Sequence, residues 1–137
     1  MDSPKQRIRV AIAVLHRDGR ILVRRRRAGE HLPGLWEFPG GKVLEDESPI
    51  EAAEREVREE MSVEAIGLTP VEIIEHDYAE RSVHISVFEG SCSGEPSPPD
   101  GAEWAWTTPT DLAGLPMPAA NRTLVTRLAR TLRKDDQ

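Results

Sequence analysis

A single cysteine, Cys92, stands among 137 residues, so no disulfide can close within the chain and nothing marks an oxidising compartment. No stretch approaches the ~20 apolar residues of a membrane-spanning helix. The opening MDSPKQRIRV holds no apolar core of signal-peptide length. Positive charge is scarce as well: 18 basic residues face 24 acidic ones, for a net charge of −6. That balance argues against broad binding to duplex nucleic acid or an anionic membrane, though a local basic patch stays open. There is no internal repeat. With 38% hydrophobic and 31% charged residues, the expectation is one globular domain over 1–137, cytoplasmic, as monomer or homodimer.

RIRVAIAVLHR alternates Ile8, Val10, Ile12 and Val14 against Arg9, Ala11 and Ala13, which predicts a strand with one buried face and one of small or charged groups. Asp18-Gly19 then breaks the pattern before RILVRRRR, and the two runs read as a hairpin through a tight turn. VEIIEHDYAE and SVHISVFEG predict a second strand pair, and EWAWT a short strand. The three tryptophans, Trp36, Trp104 and Trp106, are expected in the core rather than as base-stacking platforms. GSCSGEPSPPDGA, residues 90–102, packs three glycines and three prolines into thirteen residues, a length at which a loop is usually functional or mobile. On a strand Arg24 and Arg26 point one way and Arg25 and Arg27 the other, so one pair can meet an anion while the other is solvated.

Two segments read clearly as helix. Near the C-terminus Leu124, Val125, Leu128 and Leu132 recur at helical spacing. The other opens at Ser48-Pro49-Ile50-Glu51, where Ser48 caps, Pro49 suits the first position and Glu51 can reach back as in a capping box. Ile50, Ala53, Val57 and Met61 then form the stripe to be buried. Strands mixed with two helices predict an α/β (α+β) sandwich, with helices on the faces of a mixed sheet.

From Phe38 to Val63 the chain places seven glutamates and an aspartate in twenty-six residues. Glu56, Glu59 and Glu60, spaced i, i+3, i+4, fall on one helix face, where like charges repel. A solvated, salt-bridged face, with Arg55 pairing Glu59, would explain them blandly. Their clustering behind Gly40-Gly41, which is expected to form a turn, points elsewhere. A divalent cation of the magnesium kind takes oxygen ligands and keeps positions for phosphate and water. Glycines let backbone approach such an ion or a phosphate closely. The residues alone thus predict a metal–phosphate site built from one helix and the segment ahead of it.

Gly41, Glu47, Arg55-Glu56, Val57, Glu59-Glu60, Ser62 and Val63 resemble the signature of the Nudix family. That signature runs Gly, five residues, Glu, seven residues, Arg-Glu, aliphatic, any, Glu-Glu, any, Gly, aliphatic. One fixed position departs: Ser62 stands where the family has glycine. A left-handed, helix-ending conformation there would cost a serine on the order of 1 kcal/mol without removing a ligand. The signature segment is 41–63, and the resemblance extends over nearly the whole chain, most closely to the MutT-like branch.

The resemblance implies a Nudix-type α/β/α sandwich with a mixed sheet between helices, using Mg²⁺, with Mn²⁺ as a substitute. Metal binding and general-base duty would be divided among Glu56, Glu59, Glu60 and Glu103, with the Gly40 carbonyl also on the metal. Which glutamate is the base stays open. Glu37, Phe38, Pro39 and Gly40 would border the nucleotide, Arg26 and Lys42 would meet phosphate, and His31 would lie nearby. Asn121 would read the base edge, since an amide both donates and accepts. The simpler alternatives are a solvent lysine at Lys42 and a helix-start residue bonding its own backbone at Asn121.

The implied reaction is attack of water on the β-phosphorus of a nucleoside triphosphate, releasing monophosphate and pyrophosphate. The first expectation is 8-oxo-dGTP-type nucleotide-pool sanitation. A CTP or modified dCTP pyrophosphohydrolase follows, then a dinucleotide or nucleotide-sugar pyrophosphatase. A non-catalytic Nudix-like binding module comes last, because the helix glutamates are all present.

Overall fold

The computed structural model describes residues 6–135. Strand β1 (Gln6–Arg17) turns back into β2 (Arg20–Arg25) through Asp18 and Gly19, whose φ angles of 51° and 75° are both positive, as a two-residue hairpin turn requires. Short strands β3 (Trp36–Glu37) and β4 (Gly40–Lys42) precede helix α1 (Pro49–Met61). Then come β5 (Glu64–Asp77), β6 (Arg81–Ser93), β7 (Trp104–Thr107), α2 (Pro109–Ala113) and α3 (Ala119–Asp135). No helix among the described residues is long and apolar enough to cross a membrane.

The sheet is mixed, in the order β3-β2-β1-β6-β5, with β4 also on β1 and β7 also on β2. β1 and β6 run parallel, from Gln6 beside Arg81 to Leu15 beside Gly90, and the other pairings are antiparallel. β1 and β2 pair only beside their turn, at His16–Ile21 and Arg17–Arg20. Beyond it they part. β4 takes the freed edge of β1 and β3 the freed edge of β2, so a split opens in the sheet.

Both sheet faces are buried. Ile12, Val14, Ile21 and Val23 pack with Leu112 of α2 and with Leu124, Val125 and Leu128 of α3. Ala11, Ala13, Leu15 and Leu22 pack with Ala52, Ala53, Val57 and Met61 of α1. The α/β/α sandwich is therefore present, and the expected small face of β1 is not a solvent face. Its alanines let α1 come close. Ala53, Val57 and Met61 of the expected stripe are fully buried, and Ile50 packs at the edge of that cluster. The side chain of Leu132 lies outside the described residues.

Three expectations change. Gly40-Gly41 is not a turn but strand β4, paired to Ile12 and Ala11. Glycine is needed there because a Cβ on Gly40 would lie 2.3 Å from the Ala11 carbonyl oxygen. The long loop begins later than Gly90, since β6 continues to Ser93 opposite Glu64. Its Ser97 N–H donates to the Met61 carbonyl at 2.8 Å and so satisfies the end of α1. A third helix, α2, is too short to show a period; Thr108 caps it by accepting from Asp111 N–H.

α1 starts and stops as its sequence dictates. Ser48 and Glu51 form the reciprocal capping box, and Ser62 sits at φ 57°, ψ 33° with its N–H donating to the Arg58 carbonyl. That left-handed conformation is disfavoured for residues with a Cβ, by on the order of 1 kcal/mol. Ser62→Gly is therefore expected to raise Tm by roughly 3–5 °C with turnover nearly unchanged; calorimetry and a rate assay on the same samples check this, and a large loss of activity would give the serine another role.

Candidate active site

With Ala53, Val57 and Met61 anchored in the core, the flank of α1 beside that stripe meets the split between β1 and β2. Glu60 enters it most deeply. Its Oε1 accepts from the Gly40 N–H at 2.8 Å and its Oε2 from Arg24 Nη1 at 2.7 Å. Glu56 lies against Gly41, where a Cβ would come within 2.6 Å of its carboxyl group. The glycine pair thus admits β4 to β1 with one residue and the Glu56 carboxylate with the other. Glu59 points outward, 59% exposed.

Two arginines organise these carboxylates. Arg55 donates to both Glu47 oxygens at 2.8 and 2.9 Å, to Glu56 at 2.9 Å and to Glu59 at 3.1 Å. Its Nη2 also reaches the Lys42 carbonyl at 3.0 Å. The expected Arg55–Glu59 pair is one contact of a hub. Arg24, 5% exposed, meets Glu60, Asp100 at 2.8 Å and Glu37 at 3.5 Å. Glu37 also accepts from Arg26 at 2.9 Å. Arg24 and Asp100 were not expected in the site. Arg24 was legible: it shares a strand face with Leu22, which packs toward α1. Asp100, in a Pro/Gly-rich loop, carried no such signal.

Negative charge is in excess. Arg24, Arg26 and Arg55 face seven carboxylates, those of Glu30, Glu37, Glu47, Glu56, Glu59, Glu60 and Asp100. Burial pushes the Glu60 carboxyl up to about 8, outweighing the Gly40 N–H and Arg24, which pull it down. Burial also raises Glu56 and Glu37, opposed by Arg55 and Arg26 respectively. Hydrogen bonds from Arg55 hold the half-buried Glu47 down to about 2.

Hard oxygen donors in surplus over their cations suit a divalent ion. Among the described residues no three of these side chains already form a cage, because Arg55 holds Glu56 and Glu59 while Arg24 holds Glu60. The donor chemistry fits, and the Arg55 bonds to Glu56 and Glu59 are what an ion would have to displace.

The remaining expected residues are more dispersed. Arg26 bonds Glu37 and the His31 carbonyl, leaving the His31 ring exposed. Phe38 is 3% exposed and belongs to the core on the α3 side. Pro39 is buried too, and its carbonyl accepts from Ala13 N–H, so these two can face a ligand only through backbone. Lys42 is exposed. Glu103, 67% exposed, stands 3.5 Å from Arg25. It lines a cleft of about 480 Å³ with Arg25, Arg26 and Arg27. Asn121 is 8% exposed at the start of α3, with its N–H donating to the Pro118 carbonyl. Trp36, Trp104 and Trp106 are half-buried against the two cores.

The NUDIX domain family model matches residues 10–127. An 8-oxo-dGTP diphosphatase of Haemophilus influenzae is 30% identical over 126 residues, 90% of this chain and 93% of that one. A CTP pyrophosphohydrolase of Escherichia coli is 41% identical over 81 residues, 59% of this chain and 60% of the relative. The crystal structure of a MutT protein from Methanosarcina mazei Go1 superposes with a TM-score of 0.79 at 28% identity, covering 95% of this chain and 98% of that one. A glutamate helix closed on a glycine strand, a mixed sheet between helices and a family match spanning most of the sequence lead to one conclusion: the chain belongs to the Nudix hydrolase family and is MutT-like.

Proposed function

We propose that this chain, acting as a single domain over 1–137, is a Mg²⁺-dependent pyrophosphohydrolase that cleaves a modified nucleoside triphosphate of the 8-oxo-dGTP type to monophosphate and pyrophosphate. The observation that carries the reading is the approach of Glu56 and Glu60 to the Gly40-Gly41 strand, in a site where carboxylates outnumber the arginines that pair with them. The length-spanning similarity to an 8-oxo-dGTP diphosphatase supports the substrate class. A CTP-type substrate is the second reading, favoured by the higher identity, over a shorter span, to a CTP pyrophosphohydrolase.

In this reading Glu56, Glu59 and Glu60, with the Gly40 carbonyl and Glu103, hold the cation. When bound, it neutralises phosphate charge and orients or activates the attacking water. One of the four glutamates takes the proton of the water as its oxygen bonds to the β-phosphorus; the bond from that phosphorus to the α-phosphate oxygen breaks, the nucleoside monophosphate leaves, and the attacked phosphorus stays in the pyrophosphate. Arg26 and Lys42 add positive potential along the phosphate chain. His31 and the backbone of residues 37–40 border the nucleotide, and Asn121 reads the base edge with its amide.

A panel of normal and oxidised triphosphates, CTP and dinucleotides, assayed for pyrophosphate or phosphate release with Mg²⁺, Mn²⁺ or a chelator, tests the reading. Turnover of an oxidised purine triphosphate that chelator abolishes is expected; silence across the panel would leave a binding module. Glu60 also predicts a pH dependence. Its carboxyl keeps a proton up to about 8, so an ion must displace that proton at neutral pH, and Mg²⁺ affinity should rise with pH and level off above that value. Glu60→Gln is expected to flatten this profile in calorimetric titration and to lower kcat on the order of 10²-fold; an unchanged profile would remove Glu60 from the ion's ligands. Asn121→Ala is expected to reduce discrimination between oxidised and normal guanine more than it reduces kcat, as competition assays would show.

A further inference from the structure

We propose that Arg24 is a positioning residue for the reaction: its guanidinium clamps Glu60 of α1 to Asp100 of the 94–103 loop, fixing the helix carboxylates and the segment that delivers Glu103 as one unit. This rests on the hydrolase reading above. Arg24 is nearly inaccessible, 5% exposed, so a direct role on substrate is closed to it. Its Nη1 donates to Glu60 at 2.7 Å and its Nη2 to Asp100 at 2.8 Å. The other Asp100 oxygen accepts from the Ala102 N–H at 3.0 Å, and the next residue is Glu103. Its carbonyl in turn accepts from the Arg25 N–H at 2.8 Å.

Position therefore passes from Glu60 through one planar fork to the strand entry that carries Glu103. A lysine presents a single point charge and cannot span both carboxylates in that fixed geometry. Among the described residues, the clamp also leaves the Arg24 Nε buried without a partner. An unmet N–H is a cost that packing alone does not explain.

The test compares Arg24→Lys, Asp100→Asn and the double variant with wild type, in the full chain, on the triphosphate that wild type cleaves fastest. Arg24→Lys is expected to lower kcat roughly 10- to 100-fold, as misplaced groups do, with the nucleotide KM within about threefold. Asp100, 41% exposed, can be changed with less disturbance, and Asp100→Asn should lower kcat in the same direction. The double variant should be no worse than Arg24→Lys alone, since both cut one linkage. Without substrate or metal, both single variants should speed amide hydrogen exchange at Ala102. Faster exchange with kcat untouched makes the clamp merely structural and overturns the proposal, as does additivity in the double variant. If Arg24→Lys fails to fold, Asp100→Asn decides alone: an unchanged kcat overturns the proposal. An active wild type with unaffected variants sinks the clamp only, whereas a wild type silent on every triphosphate sinks the hydrolase reading and the proposal with it.

Discussion

Glu60 carries a carboxylate into a gap in the sheet where 16% of its side chain stays exposed, and removing such a charge from water costs several kcal/mol even after relaxation. A backbone N–H and one guanidinium offset part of that cost, not all, which is why the group holds its proton toward neutral pH. The features around it follow from this one constraint. β1 and β2 must separate to make room, β4 must be glycine-rich to bring its N–H close, and Arg24 must be buried to supply charge. A divalent cation completes the balance that the protein leaves open.

The two arginine hubs give the site its character as a surface ready for a cation and not merely an acidic one. Three arginines hold the carboxylates in position, whereas unscreened like charges would splay apart. Their bonds also set what an arriving ion competes with. Exposed pairs such as Arg55–Glu59 yield easily, because water takes over both partners. The buried Arg24 pair does not, so order around Glu60 persists while the outer carboxylates reorganise.

Much of this was readable from local chemistry. The capping box, the buried stripe of α1, the left-handed end at Ser62 and the Asp18-Gly19 hairpin follow from residues within a few positions of one another. What escaped depends on distant partners. Two- and three-residue strands such as β3 and β4 have no period to detect, and Gly40-Gly41 reads as a turn until Ala11 and Ile12 are known to lie beside it. β6 outran its expected end because Glu64 pairs with Ser93. Phe38 looked like a ligand neighbour from its place in a motif, yet its ring fills the core beneath α3. Among the charged groups, the i, i+4 pair of Arg55 was legible. Its bond to Glu47 reaches back past the cap of α1, and the Arg24–Asp100 bond crosses 76 positions.

The parallel pairing of β1 with β6 has a consequence for how the molecule comes into being. Gln6 finds its neighbour only at Arg81, so a chain leaving the ribosome can make its first hairpin and its glutamate helix long before the central strand gains its other partner. Closing so long a segment is entropically slow. A helix of 13 residues is marginal alone in water, so the acidic cluster is held in its final form only once α1 packs on β1 and β2.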